Sequence, residues 1–476
     1  MSIKPTRISS IALLVLLISG IILAFTIPSS AQVREITIGA LYPITGDLAT
    51  FGKANVEALK IALEDVNKWF TDNGYPWRFK LDVRDTETKP EKARSLFRAL
   101  HGAGVRYFLG PMSSGELKEV KAEIDLGYKA VVISPSSTAP GLAVKDTIFR
   151  FPPPDEFQGE VLNVLFKKDG VTHVIIVFRN DDWGKGLADF IDVYSKKYGI
   201  TIVDKIPYDP KAPVFGPIVE TVKGRVGELT GRGIEPSKIA VELISFEEGV
   251  GFLVEASKVP ELHKVKWYGS DGTALSAELL ANPIASKFSA EVVWKNTITF
   301  AATDIAIKVY WKVKDAVGYS PDPYSFISYD CLWVLALAIA YAGGPEDVDR
   351  VANAILRVLE TYEGATGKIR LNEFGDRAGS DYAIFAPKFV KDKVEWRLME
   401  LYDFAKGTIL EVKKDPFAER PLELRVAFPK FTPPPKPTPT PTPTPAPALA
   451  ISPTLIAVIV ILIVLAVIVY YLMRRR

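Results

Sequence analysis

The pattern that most constrains this chain is a regular alternation of short apolar runs and amphipathic helical runs. Strand-like runs fall at residues 79–84, 105–109, 130–133 and 173–178, and helical runs separate each from the next. Strands joined through helices run parallel, because the helix carries the chain back across the face of the sheet. The alternation therefore predicts an α/β fold built on doubly wound parallel sheets with helices on both faces.

The predicted strands are too numerous for one sheet of ordinary size, and this favours two lobes. Three consecutive prolines at residues 152–154 interrupt the alternation, which then resumes with a helical run at 156–168. Proline has no backbone N–H to offer a sheet and ends regular structure. We therefore predict that the chain crosses from one lobe to the other at this point.

Two neighbouring strand patterns, 107–109 and 130–133, each end in a cluster of small hydroxyl residues. The first cluster contains Ser113 and Ser114, and the second contains Ser136, Ser137 and Thr138. Ligands of parallel sheets bind beyond the carboxyl ends of the strands, and a helix N-terminus there favours a carboxylate. We interpret the two clusters as a cradle for a small anion. The alternative is that they are ordinary helix caps and turn residues.

Composition argues against several classes of function. The chain has 58 Lys and Arg against 56 Asp and Glu, a balance that does not favour nucleic-acid binding. A single cysteine, Cys331, allows neither an internal disulfide nor a cysteine metal cluster, and the three histidines are scattered. The sequence contains no GxSxG motif and no credible Ser-His-Asp set. We therefore expect no enzyme and no cofactor.

Both ends of the chain carry membrane-targeting patterns. Lys4 and Arg7 precede an apolar run at 11–25 and small residues up to Ala31, which predicts a signal peptide over residues 1–31, or alternatively an uncleaved anchor. Residues 451–472 are 22 uncharged, mostly apolar residues, long enough to span a bilayer, and three arginines follow them. Because positive residues stay on the cytoplasmic side, we predict a single-pass protein whose body lies outside the cell.

A Pro/Thr-rich linker, residues 429–450, separates the body from the predicted span. Its central part alternates proline with threonine and is typical of an extended polyproline helix. At about 3.1 Å per residue, the proline-rich part, residues 431–447, would raise the body about 50 Å above the membrane.

Several segments together resemble the extracellular leucine/isoleucine/valine-binding protein family of ABC importers. They are GALYPITGDLATFGKANVEALKIALEDVN, the two hydroxyl clusters, YGSDGTALSAELL, YDCLWVLALAIAYAG and GATGKIRLNEFGDR. The resemblance implies the type I periplasmic-binding-protein fold, in which two α/β lobes joined by three crossovers close around a ligand. It divides the body into a first lobe, residues 35–151 and 296–362, and a second lobe, residues 152–295 and 363–428.

The same resemblance assigns ligand contacts to seven positions. It implies that the ligand's carboxylate lies against hydroxyl and backbone groups of the first lobe, its side chain against aromatic residues, and its ammonium against an acidic residue. These are Ser114, Ser137 and Thr138 for the carboxylate, Phe51, Trp183 and Phe246 for the side chain, and Asp271 for the ammonium. The alternatives are that the aromatics belong to the core and that Asp271 is a turn or cap residue.

The resemblance implies an importer's solute-binding protein that takes up a small amino acid, with a branched-chain amino acid as the type case. Its partners would be the permease and ATPase subunits of the importer, and we expect a monomer. A ligand-sensing ectodomain of the same fold, acting through a membrane partner, is the main alternative. A structural surface-layer protein is a weaker one, because a cleft that closes does not suit that role.

Overall fold

The computed structural model describes residues 33–421, 423–424, 428–436 and 472–473, and the folded body ends at Pro435. The predicted signal peptide lies outside the described residues, as does the predicted span 451–472 apart from its last residue. Among the described helices, Tyr324–Tyr341 is the one long and apolar enough to cross a membrane, but 94% of its apolar window is buried inside the protein. It is therefore placed as a core helix.

The first lobe, lobe 1, is built on a five-stranded parallel sheet in the order β2-β1-β3-β4-β5. The strands are β1 (Arg34–Tyr42), β2 (Trp77–Asp85), β3 (Tyr107–Leu109), β4 (Val131–Ser134) and β5 (Ile148–Arg150). The connecting helices are α1 (Ala49–Asp72), α2 (Pro90–Gly102) and α3 (Ser114–Asp125). The prediction of a parallel sheet with helical crossovers is confirmed for this lobe.

The second lobe, lobe 2, is built on an eight-stranded sheet whose first five strands are parallel. They are β6 (His173–Arg179), β7 (Thr201–Tyr208), β8 (Ile239–Ile244), β9 (Lys266–Gly269) and β10 (Lys295–Thr299). The helices between and beside them are α4 (Asp155–Lys168), α5 (Asp182–Tyr198), α6 (Phe215–Gly231), α7 (Gly249–Ala256), α8 (Ala277–Ala281) and α9 (Pro283–Glu291).

Three later strands extend this sheet in antiparallel fashion, so lobe 2 is a mixed sheet and not the purely parallel one that was predicted. A short hairpin of β11 (Glu363–Gly364) and β12 (Gly367–Lys368) comes first in the chain. The three strands are β13 (Tyr382–Val390), β14 (Lys393–Asp403) and β15 (Thr408–Glu411), and the sheet order is β15-β14-β13-β10-β9-β8-β6-β7. Tight hairpin connections allow antiparallel pairing without a crossover helix.

Lobe 1 is completed by three helices from later in the chain, α10 (Asp304–Val317), α11 (Tyr324–Tyr341) and α12 (Val348–Leu359). Helix α11 is buried from Tyr324 to Ala340, because it is apolar on all sides and is enclosed by its neighbours. It packs against α1, whose buried Ala54, Ala58 and Ala62 recur at helical spacing. These small side chains let the two helices approach closely.

The chain passes between the lobes after β5, after β10 and before β13. Strand β10 reaches Thr299, beyond the predicted boundary at residue 295, because residues near 291 end a helix and the strand starts later.

The segment from residue 363 also stays with lobe 1. The amides of Ala365 and Thr366 donate to Asp330 of α11, and Asp376 pairs with Arg150 of β5. The predicted boundary at residue 363 therefore falls too early.

A buried ion pair stabilises the last passage between the lobes, the one before β13. The Arg150 guanidinium donates from Nε to Asp376 Oδ1 (2.6 Å) and from Nη2 to Oδ2 (2.5 Å), and its Nη1 donates to the Ala139 carbonyl oxygen (2.6 Å). The side chains are 1% and 2% exposed. A two-pronged geometry of this kind gives short, charge-assisted hydrogen bonds.

Replacing Asp376 with asparagine is expected to lower the free energy of unfolding by about 3 kcal/mol, because Arg150 would remain buried without its counter-charge. The control is Asp72→Asn, since Asp72 pairs with Lys68 at an exposed site, and its loss should cost under about 0.5 kcal/mol. Guanidinium unfolding followed by tryptophan fluorescence measures both variants. Similar losses in the two variants would contradict this role of the buried pair.

Candidate functional site

A small cavity lies where the carboxyl ends of the strands of the two lobes face each other. Its walls are apolar and aromatic, with a few hydroxyl groups and one carboxyl group. The lining residues are Leu48, Phe51, Met112, Ser113, Ser114, Ser136, Trp183, Phe246, Asp271, Gly272 and Tyr324. A largely apolar cleft with a few converging polar groups is the usual form of a small-molecule site.

On the lobe 1 side, Ser113 and Ser114 have different roles. Ser113 is the N-cap of α3: its hydroxyl accepts from the Glu116 amide (3.3 Å) and donates to Glu116 Oε2 (2.7 Å). Ser114 is the first residue of the helix and lines the cavity. The helix-cap alternative therefore holds for Ser113, and an anion cradle at Ser114 stays a prediction.

Ser114 also joins the two hydroxyl clusters. Its Oγ accepts from the Ser137 hydroxyl (3.1 Å) and from the amides of Thr138 (3.3 Å) and Ala139 (3.1 Å). Ser137 and Thr138 are therefore placed behind Ser114, and Ser136, which sequence reasoning did not select as a ligand residue, lines the cavity. The strand-end clusters do meet, because β3 and β4 are adjacent and parallel.

The three predicted aromatic residues lie together on the cavity wall. Phe51 comes from α1 of lobe 1, whereas Trp183 and Phe246 come from lobe 2 and stack with ring centroids 4.7 Å apart. All three are at most 6% exposed. They belong to the buried core and line the cavity at the same time, so the two interpretations do not exclude each other.

Gly272 makes room for this aromatic pair. A Cβ atom at this position would lie 2.6 Å from the Trp183 ring and 2.4 Å from the Ser245 carbonyl oxygen. Neither contact is sterically possible without displacing a wall of the cavity. The glycine that follows Asp271 is therefore required by packing.

Asp271 lies at the end of β9 on the lobe 2 side and is 4% exposed. Its Oδ2 accepts a 2.5 Å hydrogen bond from the hydroxyl of Tyr324, the first residue of α11 in lobe 1. Its Oδ1 has no hydrogen-bond partner among the described residues. Burial raises the pKa of Asp271 to about 6, although the hydrogen bond from Tyr324 opposes the shift.

A second buried carboxyl group, Asp155, lies close to the first and was missed by sequence reasoning. It is fully buried at the start of α4, its amide donates to the Thr138 carbonyl oxygen (3.1 Å), and neither carboxyl oxygen makes a hydrogen bond of normal geometry with a described residue. Burial raises its pKa, the charge of Asp271 raises it further, and the Thr138 hydroxyl opposes the shift. An acid in the first turn of a helix is so common that its sequence position gave no indication of this role.

Contacts across the rim hold the two lobes together over the cavity. The Thr50 hydroxyl donates to Glu247 Oε1 (2.6 Å), and Lys118 pairs with Asp182 (2.7 Å). The Glu247 amide also donates to the Asp47 carbonyl oxygen (3.1 Å). The structure therefore represents a closed cleft, in which groups from both lobes surround the same small volume.

Comparison with known proteins places the chain in a family. Residues 55–389 match the model described as the receptor family ligand binding region. An uncharacterised protein of Methanocaldococcus jannaschii is 34% identical over 420 residues, covering 83% of this chain and 98% of that protein. The Leu/Ile/Val-binding protein homolog 3 of Brucella melitensis is 26% identical over 376 residues, covering 78% of this chain and 96% of that protein.

Solved structures show the same fold. The branched-chain amino acid transporter substrate binding protein of Streptococcus pneumoniae, in complex with isoleucine, has a TM-score of 0.63 at 18% identity, covering 77% of this chain and 99% of its own. A solute binding protein of an ABC transporter from R. palustris, in complex with 4-hydroxybenzoate, has a TM-score of 0.64 at 15% identity, covering 78% and 98%. The likeness confirms the predicted type I periplasmic-binding-protein fold.

The raised pKa of Asp271 predicts a pH-dependent cost to stability. The folded protein holds this proton more tightly than the unfolded chain, so the penalty is absent below about pH 4 and complete above about pH 6. As the pH rises from about 4 to about 6, the free energy of unfolding of Asp271→Asn should increase by about 2–3 kcal/mol relative to that of the unsubstituted protein. Guanidinium unfolding of both proteins across this range measures the change, and a difference that does not vary with pH would contradict the assignment.

Proposed function

The chain belongs to the protein family described as the receptor family ligand binding region. From this premise, we propose that it is the solute-binding protein of an ABC importer and that it captures a small amino acid. The observation that carries the proposal is the division of polar groups across one closed cavity. Hydroxyl groups and a helix N-terminus lie on lobe 1, and a carboxyl group lies on lobe 2. An α-amino acid carries the complementary pair of charges on neighbouring atoms.

The lobe 1 side suits the carboxylate of such a ligand. Ser114 and Ser136 present hydroxyl groups to the cavity, and Ser114 opens α3, whose N-terminal end is the positive end of the helix dipole. Ser137 and Thr138 support this surface, because the Ser137 hydroxyl and the Thr138 amide both bond Ser114. We propose that this set holds the ligand's carboxylate, with Ser114 in direct contact.

The ammonium group would bind on the opposite side. Asp271 has one carboxyl oxygen without a partner among the described residues, and Asp155 adds a second carboxyl group within electrostatic range. A buried carboxylate is costly unless a cation neutralises it, so a ligand ammonium group would offset the cost of burying Asp271. We propose that Asp271 is the direct partner. A bound ammonium group would also favour ionisation of Asp155, whose pKa is raised in its absence.

The ligand's side chain would lie against Phe51, Trp183 and Phe246. The cavity between the closed lobes is small, which favours a compact ligand. The apolar walls favour an aliphatic side chain over a charged one. A branched-chain amino acid meets these requirements, and isoleucine occupies the related S. pneumoniae protein.

A carboxylic acid without an ammonium group is the second candidate, because the R. palustris protein of this fold holds 4-hydroxybenzoate. Such a ligand would use the hydroxyl surface and the aromatic wall. It would leave Asp271 without a counter-charge and would place a further anion near Asp155. The acidic pair therefore favours the amino acid.

The decisive test is calorimetric titration of L-isoleucine, L-leucine and 4-hydroxybenzoate into the protein and its Asp271→Ala variant. Removing one partner of a buried charge pair should weaken amino-acid binding by about 3–5 kcal/mol, or two to four orders of magnitude in Kd. Ser114→Ala should cost less, about 1.5–3 kcal/mol for a hydrogen bond to a charged group. Binding of an amino acid to Asp271→Ala within threefold of the parent would overturn the proposed ammonium site.

Asp72→Ala is the control for that titration, since Asp72 lies on the surface of α1 and should leave binding unchanged. Turnover of the bound solute would contradict a transport role without catalysis. Binding of 4-hydroxybenzoate alone would favour the second candidate.

We also propose that the body faces the outside of the cell, tethered through residues 451–472, and delivers its ligand to permease and ATPase subunits. The supporting observations are the apolar run with its terminal arginines and the targeting pattern at residues 1–31. A sensing role through a membrane partner uses the same topology and stays the alternative.

Protease added to intact cells should cut within the Pro/Thr-rich linker and release the body as a soluble fragment, because a backbone without internal hydrogen bonds is open to cleavage. Immunoblotting of the supernatant measures the release, and a cytoplasmic marker controls for lysis. A body that stays cell-associated and uncut while the cells remain intact would show that the topology is wrong.

A further inference from the structure

The chain does not end at the edge of lobe 2. After β15 it continues as a C-terminal extension, residues 412–434, of which the structure describes 412–421, 423–424 and 428–434. The extension returns to lobe 1. It is therefore a further connection between the lobes, in addition to the three passages that carry the main fold.

Phe417 is the first anchor of this extension and is 6% exposed. Its ring stacks on Tyr310 (centroids 4.6 Å apart) and on Phe326 (5.6 Å), which belong to α10 and α11 of lobe 1. Its edge meets Phe300 (5.9 Å), which directly follows β10 and whose amide donates to the Asp381 carbonyl oxygen beside β13. The ring thus touches groups that are fixed to each of the two lobes.

The space beside Phe417 is also shared between the lobes. It is a small cavity, lined mostly by apolar and aromatic side chains, to which lobe 2 contributes Leu275, Phe385 and Trp396. Along the chain, Phe326 is two residues from Tyr324, and Leu275 is four residues from Asp271. Tyr324 and Asp271 are the residues that meet across the ligand cavity, so Phe417 lies close to the contact that closes it.

The second anchor lies on lobe 1. Phe431 packs against Trp69 (5.1 Å) and Trp333 (5.7 Å), with distances measured between ring centroids. The hydroxyl of Tyr341 donates to the Thr432 carbonyl oxygen (2.7 Å), and that of Tyr75 donates to the Pro434 carbonyl oxygen (2.5 Å). An extended proline-rich backbone has no internal hydrogen bonds, so its carbonyl groups are available to such donors.

We propose that the C-terminal extension is a brace that stabilises the closed arrangement of the lobes, with Phe417 as the positioning residue and residues 428–434 as its fixed end on lobe 1. When the lobes separate, the Phe417 ring must leave either its lobe 1 partners or Phe300. Apolar surface that is buried in the closed form would then meet water, which opposes opening. The brace acts without touching the ligand.

The experiment uses the full-length chain in detergent, spin-labelled at K60C on α1 of lobe 1 and at K223C on α6 of lobe 2. Both lysines are exposed, and the native Cys331 is buried and should not react. Double electron–electron resonance spectroscopy measures the distance between the two spin labels in the absence of ligand. Phe417→Ala should shift this distribution towards the more open population, and Phe431→Ala should do so in the same direction.

A second readout is the affinity for L-isoleucine. Phe417→Ala should raise the Kd about tenfold, which is ~1.4 kcal/mol, mainly through faster dissociation. Phe389→Ala is the control, because that phenylalanine is 55% exposed on β13 and should change neither readout. The distances between the labels are measured without ligand, so this readout tests the brace even if isoleucine is not the ligand.

Two outcomes would overturn the brace. One is a Phe417→Ala protein with a lower melting temperature but unchanged label distances, which would make the ring a packing residue alone. The other is a Phe431→Ala protein with unchanged distances, which would show that docking on lobe 1 has no effect on opening.

Discussion

The cleft is organised around the hydrogen bond from the Tyr324 hydroxyl to Asp271, the contact between the lobes that lies in the cavity wall. It brings the start of a lobe 1 helix to the end of a lobe 2 strand and places a carboxyl group where little solvent reaches it. Burying this group without a full set of partners is unfavourable, as its raised pKa shows. The closed form thus presents an acidic group that a ligand can neutralise.

The position of Tyr324 is fixed by the interior of lobe 1. Asp322, two residues before it, accepts from the Asn55 side chain (3.2 Å), and Asn55 also donates to the Phe51 carbonyl oxygen (2.9 Å). The Ser328 hydroxyl, one turn into α11, donates to Asn55 Oδ1 (2.7 Å). One buried network therefore sets both the residue that contacts Asp271 and the helix that carries an aromatic wall of the cavity. Burial raises the pKa of Asp322 to about 7, which shows how dry this network is.

The sequence predicted the parts of the site that depend on local pattern. Ser114 and Trp183 lie in the first turns of the helices that follow β3 and β6, and Asp271 lies two residues after β9. Their places at the carboxyl ends of the sheets therefore follow from parallel topology. Asp155 and Tyr324 gave no such indication. Their roles arise because separate segments meet at the cleft, which neither spacing nor composition reports.

The lobe boundaries show the same limit. The strand at 295–299 and the pairing of Asp376 with Arg150 are set by contacts between residues far apart in the chain, so the predicted boundaries missed both passages. The antiparallel strands of lobe 2 and the return of the C-terminal extension to lobe 1 have the same cause. Alternation of strands and helices predicts the class of sheet, but not which late segment pairs with which edge.

Arg179 raises the question of which end of the ligand faces which lobe. It is a buried cation of lobe 2, and its guanidinium carbon lies 3.8 Å from the centroid of the Phe246 ring, on the cavity wall. An unpaired arginine there would attract the ligand's carboxylate and reverse the proposed orientation. However, Arg179 donates to Asp181 (2.6 Å) and to Glu248 (2.8 Å), so its charge is already balanced. With that cation neutralised, Asp271 is the charged group that dominates the lobe 2 wall of the cavity. This charge distribution supports the proposed orientation, with the ammonium group on lobe 2 and the carboxylate on lobe 1.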